Sequence, residues 1–500
     1  MRIVLLALAL ALSSLDQTTV RIRVAGTVTP PPSGVDLSEY RTATYGTPDY
    51  YCDPTRSLAS NGTGTSGDSW NMTQCMTEPV AGDVVGIKAG VSVDLPAPNN
   101  DNIAAFSPTH SGTGDAVSQR IVWVTQYPAI ALSSVESNGN RTEFRHAGTP
   151  PGISGGVGTG TGGPTIGAYQ QDYLTFDGFY IDMAEATISE DSGVIRPEDA
   201  TGTVFKNFVI KGTATTCASN CIIYRPQDAR DTLVSNFRAY DFTNDPTGSA
   251  TPQAALFSDQ YGDQNVIIEH GEIYNTQRGI FFKGSGFSGL GDQLNYGTVR
   301  YMLMHDLRSC WQFNALSTSQ TTTVHYSVCY NVAQDDAGDG CLVFSSETSP
   351  ARYLTADHLT CAKVDSDGIN TNGAFIVRSN GIGSNVSVTN LALDNDGGGA
   401  FGHEVSLMSQ LPATLNYNCY TKNGSTESYV YNSTQYNTFA SWQAAISGRD
   451  ANSNEVSSIG FADRTNNDFN ITSGTCATAS STGGQVGAYA TSETIGPITS

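Results

Sequence analysis

YLTFDGFYID, Tyr173 to Asp182, is the stretch whose reading decides the fold. It alternates apolar and polar residues with the period of a β-strand, and it recurs. Similar runs begin at Thr203 (TVFKNFVIKG), Thr232 (TLVSNFRAYDF), Asn265 (NVIIEHGEIYN), Thr298 (TVRYMLMHD), Thr323 (TVHYSVCYN), Tyr353 (YLTADHLTC) and Asn385 (NVSVTNLALDN). Successive starts lie roughly 30 residues apart, the scale of a repeat architecture. A second family of short runs falls between them: CIIYRP at Cys221, AALFSD at Ala254, GIFFKG at Gly279, CWQFNA at Cys310, CLVFSS at Cys341 and AFIVRS at Ala374. Two or three strands per repeat, turns rich in Gly, Asn and Asp, and no helical period predict the coils of a β-solenoid. Each coil should stack on the next at the strand spacing of about 4.8 Å.

Composition agrees. Of 500 residues only 14% are charged, and 52 are Gly. The net charge of −22 leaves too few cations to neutralise a run of phosphates, and it disfavours anionic membranes. Hydrophobic residues at 39% exceed what a disordered chain carries. Composition thus excludes nucleic acid without naming a function.

Ten cysteines point to an oxidising compartment. No CxxC pairs give zinc spacing. Cys310 and Cys341 open second-family strands one repeat apart, and Cys329 and Cys361 match in the first family. Stacking would bring each pair to about 5 Å, within disulfide range. The expected bonds are 310–341 and 329–361, with Cys52–Cys75, Cys217–Cys221 and Cys419–Cys476 as local staples; buried free thiols are the alternative. Seven Asn-x-Ser/Thr sequons arise easily in Asn- and Thr-rich sequence and carry little weight.

Three stretches together resemble the right-handed parallel β-helix, or pectate-lyase-like, superfamily, which includes polysaccharide lyases and viral tail spikes. The opening from Pro48 to Val93, with Gly82, Asp83, Val84 and Gly90, is similar to its first coil. The repeats from Tyr173 to Asn395 resemble its coils, and NDFNITSGTC…GGQVGAYA from Asn467 resembles its last. The resemblance implies an all-β chain: a right-handed parallel β-helix with a short N-terminal strand segment and a C-terminal cap. It implies no single function, because the fold hosts lyases, hydrolases and non-catalytic adhesins.

Residues 1–29 read either as a signal peptide (MRIVLLALALALSS) or as attachment strands, residues 30–47 as a linker around PPPSG, 48–405 as the β-helix, and 406–500 as final coils and cap. SWQAAISGRD, from Ser441, reads as a short helix capping the open end.

Two constellations carry candidate chemistry. The turns NVAQDDAGDG, KVDSDG and LDNDGGG place Asp336, Asp339, Asp365, Asp367, Asp394 and Asp396 as oxygen ligands for Ca²⁺, with Lys363 beside them. Tight turns alone also demand Asp, Asn and Gly. The second constellation groups Glu269, His270 and Glu272 with Arg278, Lys283, Arg300, His305, Asp306 and Arg308. Strict alternation puts Glu269, Gly271 and Ile273 on one side and His270, Glu272 and Tyr274 on the other. A lyase base would come from Lys363 or Arg308, a hydrolase pair from Glu272 and Asp306. A solvated face explains the same residues. No ordered catalytic motif is present, only six lysines occur, and the acidic surface would repel polyuronates. The expected partner is an extracellular polysaccharide. The chain is read as a virion tail-spike-type receptor-binding appendage, engaging other virion or surface-assembly proteins. Alternatives are a secreted polysaccharide lyase or hydrolase, and a non-catalytic surface protein.

Overall fold

The computed structural model describes residues 45–95, 104–125, 132–136, 141–146, 166–183, 194–212, 222–242, 255–259, 263–282, 296–313, 316, 319–332, 340–345, 353–364, 375–378, 385–395, 405–407, 411–421 and 429–498. The chain divides into two units, Met1–Val35 and Asp36–Ser500, and these residues all belong to the second.

Each run of the first family bends once. In NVIIEHGEIYN, residues 266–269 pair with 297–300 of the next coil, whereas residues 272–274 pair with 303–305. The bend falls on one left-handed residue, His270 at φ 52°. Equivalent corners are Asn207, Asn236, Tyr301, Tyr326, His358 and Asn390, all at positive φ. The second family of runs makes a third sheet, so three parallel sheets wind into a parallel β-helix. One sheet passes through residues 121–125, 174–177, 204–206 and 233–235, the next through 180–182, 209–211, 238–240 and 272–274. The third passes through 166–169, 195–198, 342–345, 375–378 and 405–407. Parallel crossovers of this kind wind right-handed.

The corner resets the alternation, which corrects the expected sidedness. Val266, Ile268 and Ile273 point inward to the core. Glu269 and Glu272 both point outward, on different sheets. At Gly271 a Cβ would strike the Phe237 ring and Met302, so this coil carries glycine where the large inward side chains of its two neighbours meet. Corner side chains form ladders between coils. Asn207 donates to Asp177 (2.7 Å), Asn236 to Asn207 (2.6 Å), Asn275 to Asp241 (2.9 Å) and Asn331 to Asp306 (3.1 Å). Short polar side chains suit αL corners because they bond locally.

Core side chains stack in register like the strands that carry them. Trp123, Phe176 and Phe205 form one column, with centroids 5.3 and 4.9 Å apart. Four cysteines meet in the same interior, and their pairing departs from expectation. Cys329 aligns with Cys361 as the repeat requires, yet the bonds are Cys310–Cys329 and Cys341–Cys361, with Cα separations of 6.4 and 6.0 Å. Stacked residues project in parallel, whereas a disulfide needs converging Cβ vectors; cysteines on different sheets face one another across the interior. Cys52–Cys75 and Cys419–Cys476 form as expected; Cys217–Cys221 lies outside the described residues.

The far end is closed by the Phe439–Ala445 helix, begun by the Thr438 cap. Its Trp442 stacks on Tyr429 at 4.7 Å. The stretch from Asn467 is not a coil. Asp468–Ile471 pairs antiparallel with Phe461–Asp463, and the chain then runs back along the flank. Alanine 488 donates its N–H to Thr360 Oγ1 (2.9 Å), Gly496 to the Tyr301 carbonyl (2.8 Å) and Ile498 to Asn236 Oδ1 (2.7 Å). The Cys419–Cys476 bond tethers this strap.

Asp450 under the cap accepts from Asn418 Nδ2 (3.1 Å) and from Ser453. Burial pushes its carboxyl up to about 6, against those hydrogen bonds. A raised folded-state pKa favours folding below the ordinary value and loses that contribution as pH rises through the raised one. Asp450 should therefore destabilise the cap by up to about 3 kcal/mol above pH 6 relative to pH 4. The check is thermal melting of wild type and Asp450→Asn: the variant should gain relative stability as pH rises from 4 to 7, and a constant difference would refute the assignment.

Candidate functional site

The outward face of the second sheet carries two columns, one rung per coil. In one, Val209, Arg238, Glu272, Leu303 and Val328 are register neighbours. In the other, Tyr240, Tyr274, His305 and Tyr330 follow one another. Their rings are stacked coin-like, with centroids 4.9, 4.8 and 4.8 Å apart and interplanar angles of 1°, 5° and 14°. The strand spacing imposes this pitch. Ring faces are spent on each other, so the ladder presents ring edges, and both nitrogens of the His305 imidazole turn to carboxylates of this chain.

Charges run beside the ladder. Glu136 meets Arg238 at 2.5 Å, and Arg238 Nε meets Glu272 at 2.6 Å. Glu272 lies 3.5 Å from His305 Nε2, and His305 Nδ1 lies 2.7 Å from Asp306. Burial pushes the Glu272 carboxyl up, but His305 and Arg238 outweigh it and hold the group below its ordinary range. The His305 hydrogen bond does the same for Asp306 against its burial, helped by Asn331 and by the charge of Lys363. Burial lowers His305, yet its two carboxylates win and raise it. The arrangement is an imidazole held between two carboxylates that favour its protonated form. Burial, with Tyr240, Glu272 and Asp241 nearby, raises the Tyr274 phenol, and burial lifts Tyr330 to about 12; both stay neutral hydrogen-bonding groups.

Of the candidate catalytic residues, the fold gathers Glu272, Asp306 and Lys363. Lys363 sits at the corner equivalent to Asp306, at φ 51°, and donates to Asn467 Oδ1 (2.6 Å). Arg308 is only 2% exposed and does not reach the groove surface. Glu269 belongs to the neighbouring sheet, where Arg300 holds it at 2.7 Å. Among the candidate Ca²⁺ ligands, Asp336, Asp339, Asp365, Asp367 and Asp396 lie outside the described residues. Asp394 does not fit a cation site, because Arg464 (2.6 Å) and Thr421 (3.0 Å) take its two oxygens. The sequence reading missed the ladder. Its signal is a Tyr or His just before each corner: Tyr240-Asp241, Tyr274-Asn275, His305-Asp306, Tyr330-Asn331.

The stacked sheets and their corners define a parallel β-helix. No family model matches the sequence, and no curated protein matches it. Among solved structures, it is similar to a complex of XylC with xylose, at 9% identity over 77% of this chain and 86% of that one, TM-score 0.43. It is also similar to pectate lyase Pel9A, at 13% identity over 70% and 80% of the two chains, TM-score 0.39. A rhamnogalacturonan lyase matches at 14% identity over 68% and 87%, TM-score 0.37. Likenesses this distant transfer no residue role. The disulfides mark an oxidising compartment, and among the described residues no helix is long and apolar enough to cross a membrane.

Proposed function

We propose that the chain recognises an extracellular glycan on the outward face of its second sheet, at Arg238, Tyr240, Glu272, Tyr274 and His305. The carrying observation is the ladder: regularly spaced hydroxyl and imidazole edges flanked by an arginine and a carboxylate, the groups that pair with sugar hydroxyls. The test is an oligosaccharide array probed with wild type and Tyr274→Ala. Binding by wild type, weakened at least tenfold in the variant, supports the reading; equal binding by both places the glycan elsewhere.

A second reading, glycan cleavage, is favoured by His305. Both carboxylates are held ionised, so neither suits the neutral acid of a glycosidase pair. Protonated His305 could serve as the acid for a leaving glycosidic oxygen if its Nε2 exchanged the 3.5 Å contact with Glu272 for the substrate. New reducing ends in a wild-type digest that His305→Ala abolishes would establish cleavage. For the biological setting we favour a virion tail-spike-type appendage, with a secreted enzyme as the alternative. A mature N-terminus near Ser14 in the native protein would favour secretion and overturn the appendage.

A further inference from the structure

Resting on the glycan reading, we infer that the site takes a neutral chain end or short oligosaccharide, and that the interior of a long polymer does not fit. Successive rungs differ in their exposure. Along one column Val209 is 0% exposed, the Arg238 and Glu272 side chains 28% and 16%, and Val328 again 0%. The opening is thus three rungs long, from Arg238 through Glu272 to the Leu303–His305 rung, where Leu303 already packs against the strap and the His305 side chain is 15% exposed, and both ends are shut by parts of this chain.

At one end stands the Leu132–Glu136 helix. Its Leu132 and Val135 pack on Tyr180 and Val209, the two rungs before Arg238. Arg141 fixes it there: the guanidinium lies 3.3 Å over the Tyr180 ring and donates to the Glu136 carbonyl at 3.1 Å. At the other end the strap covers Val328 and Tyr330 with Phe469 and Ala488, and Phe469 lies 5.2 Å from the Tyr330 ring. Its last residues run past Leu303 to Asn236, walling the corner side of the same three rungs. A polymer laid along the helix axis would collide with helix and strap alike. The ligand charge follows from the surroundings. Arg238 and His305 are already neutralised by Glu136, Glu272 and Asp306, and the whole chain carries −22. A polyuronate would meet net repulsion.

The experiment is titration calorimetry of the full chain with neutral gluco-, manno- and galacto-oligosaccharides of two to eight residues, and with oligogalacturonides of the same lengths. The expected result is affinity that stops improving beyond about three sugars, the length of a three-rung opening at strand spacing, with the neutral series preferred at least tenfold. A bulky group on both chain ends should abolish binding. Affinity that climbs from four to eight residues, tolerance of blocked ends, or preference for the uronides would overturn the inference while leaving glycan binding intact. No binding to any member would sink the glycan reading and the inference together.

Discussion

Replacing Phe205 by alanine should lower unfolding free energy by about 3–5 kcal/mol, the cost of emptying a large aromatic site in a packed core. Phe205 is 1% exposed. It stacks on Phe176 at 4.9 Å and meets Tyr224 edge-on at 6.1 Å. A solenoid has no distant part of the core that can refill the gap, because each coil touches only its neighbours. Thr355→Ala, on the outward side of the same sheet, should stay within about 0.5 kcal/mol. Urea unfolding of the three proteins is the check, and equal midpoints for wild type and Phe205→Ala would mean that the aromatic column does not hold the coils.

His305→Ala should weaken glycan binding at least tenfold, or about 1.4 kcal/mol. It removes the donor between Glu272 and Asp306, 3.5 and 2.7 Å away, and interrupts the ring ladder between Tyr274 and Tyr330. Glu272 keeps Arg238, so the fold should survive. The wild type should also show a pH signature. Because the His305 pKa is raised, the imidazolium contribution is full below the ordinary histidine range and is lost as pH rises through the raised value. Calorimetric affinity should fall across that window in wild type and stay flat there in His305→Ala. A parallel fall in both proteins would assign the titration to another group.

The coils were legible because stacking forces chemically similar residues to recur once per turn, so the period survives wherever turn lengths vary little. Corners were half legible. Asp and Asn at Asn207, Asn236 and Asp306 advertise left-handed backbone, but His270 and Tyr301 adopt the same φ with no such signal, held there by neighbours above and below. That hidden corner is why simple alternation put Glu269 and Ile273 on one face. Register aligned Cys329 with Cys361, but register says which residues are stacked and not which ones face each other, so the bonds formed elsewhere. In the site, Glu272, His305 and Asp306 were visible as charges on adjacent repeats, whereas Lys363 was read with the Asp turns and lies two coils beyond Asp306. Closure of the groove was not, since the strap's DFNI run reads as one more strand and only its packing shows that it doubles back.

The central claim is that the three-rung opening between the Leu132–Glu136 helix and the strap is where a glycan binds. Hydrogen–deuterium exchange, with and without the tightest oligosaccharide from the calorimetric series, tests it most directly. Added protection should concentrate in residues 238–241, 272–275 and 303–306, with little change in 354–357 on the neighbouring sheet. Protection centred on that sheet, or spread along the whole length of the helix, would contradict it.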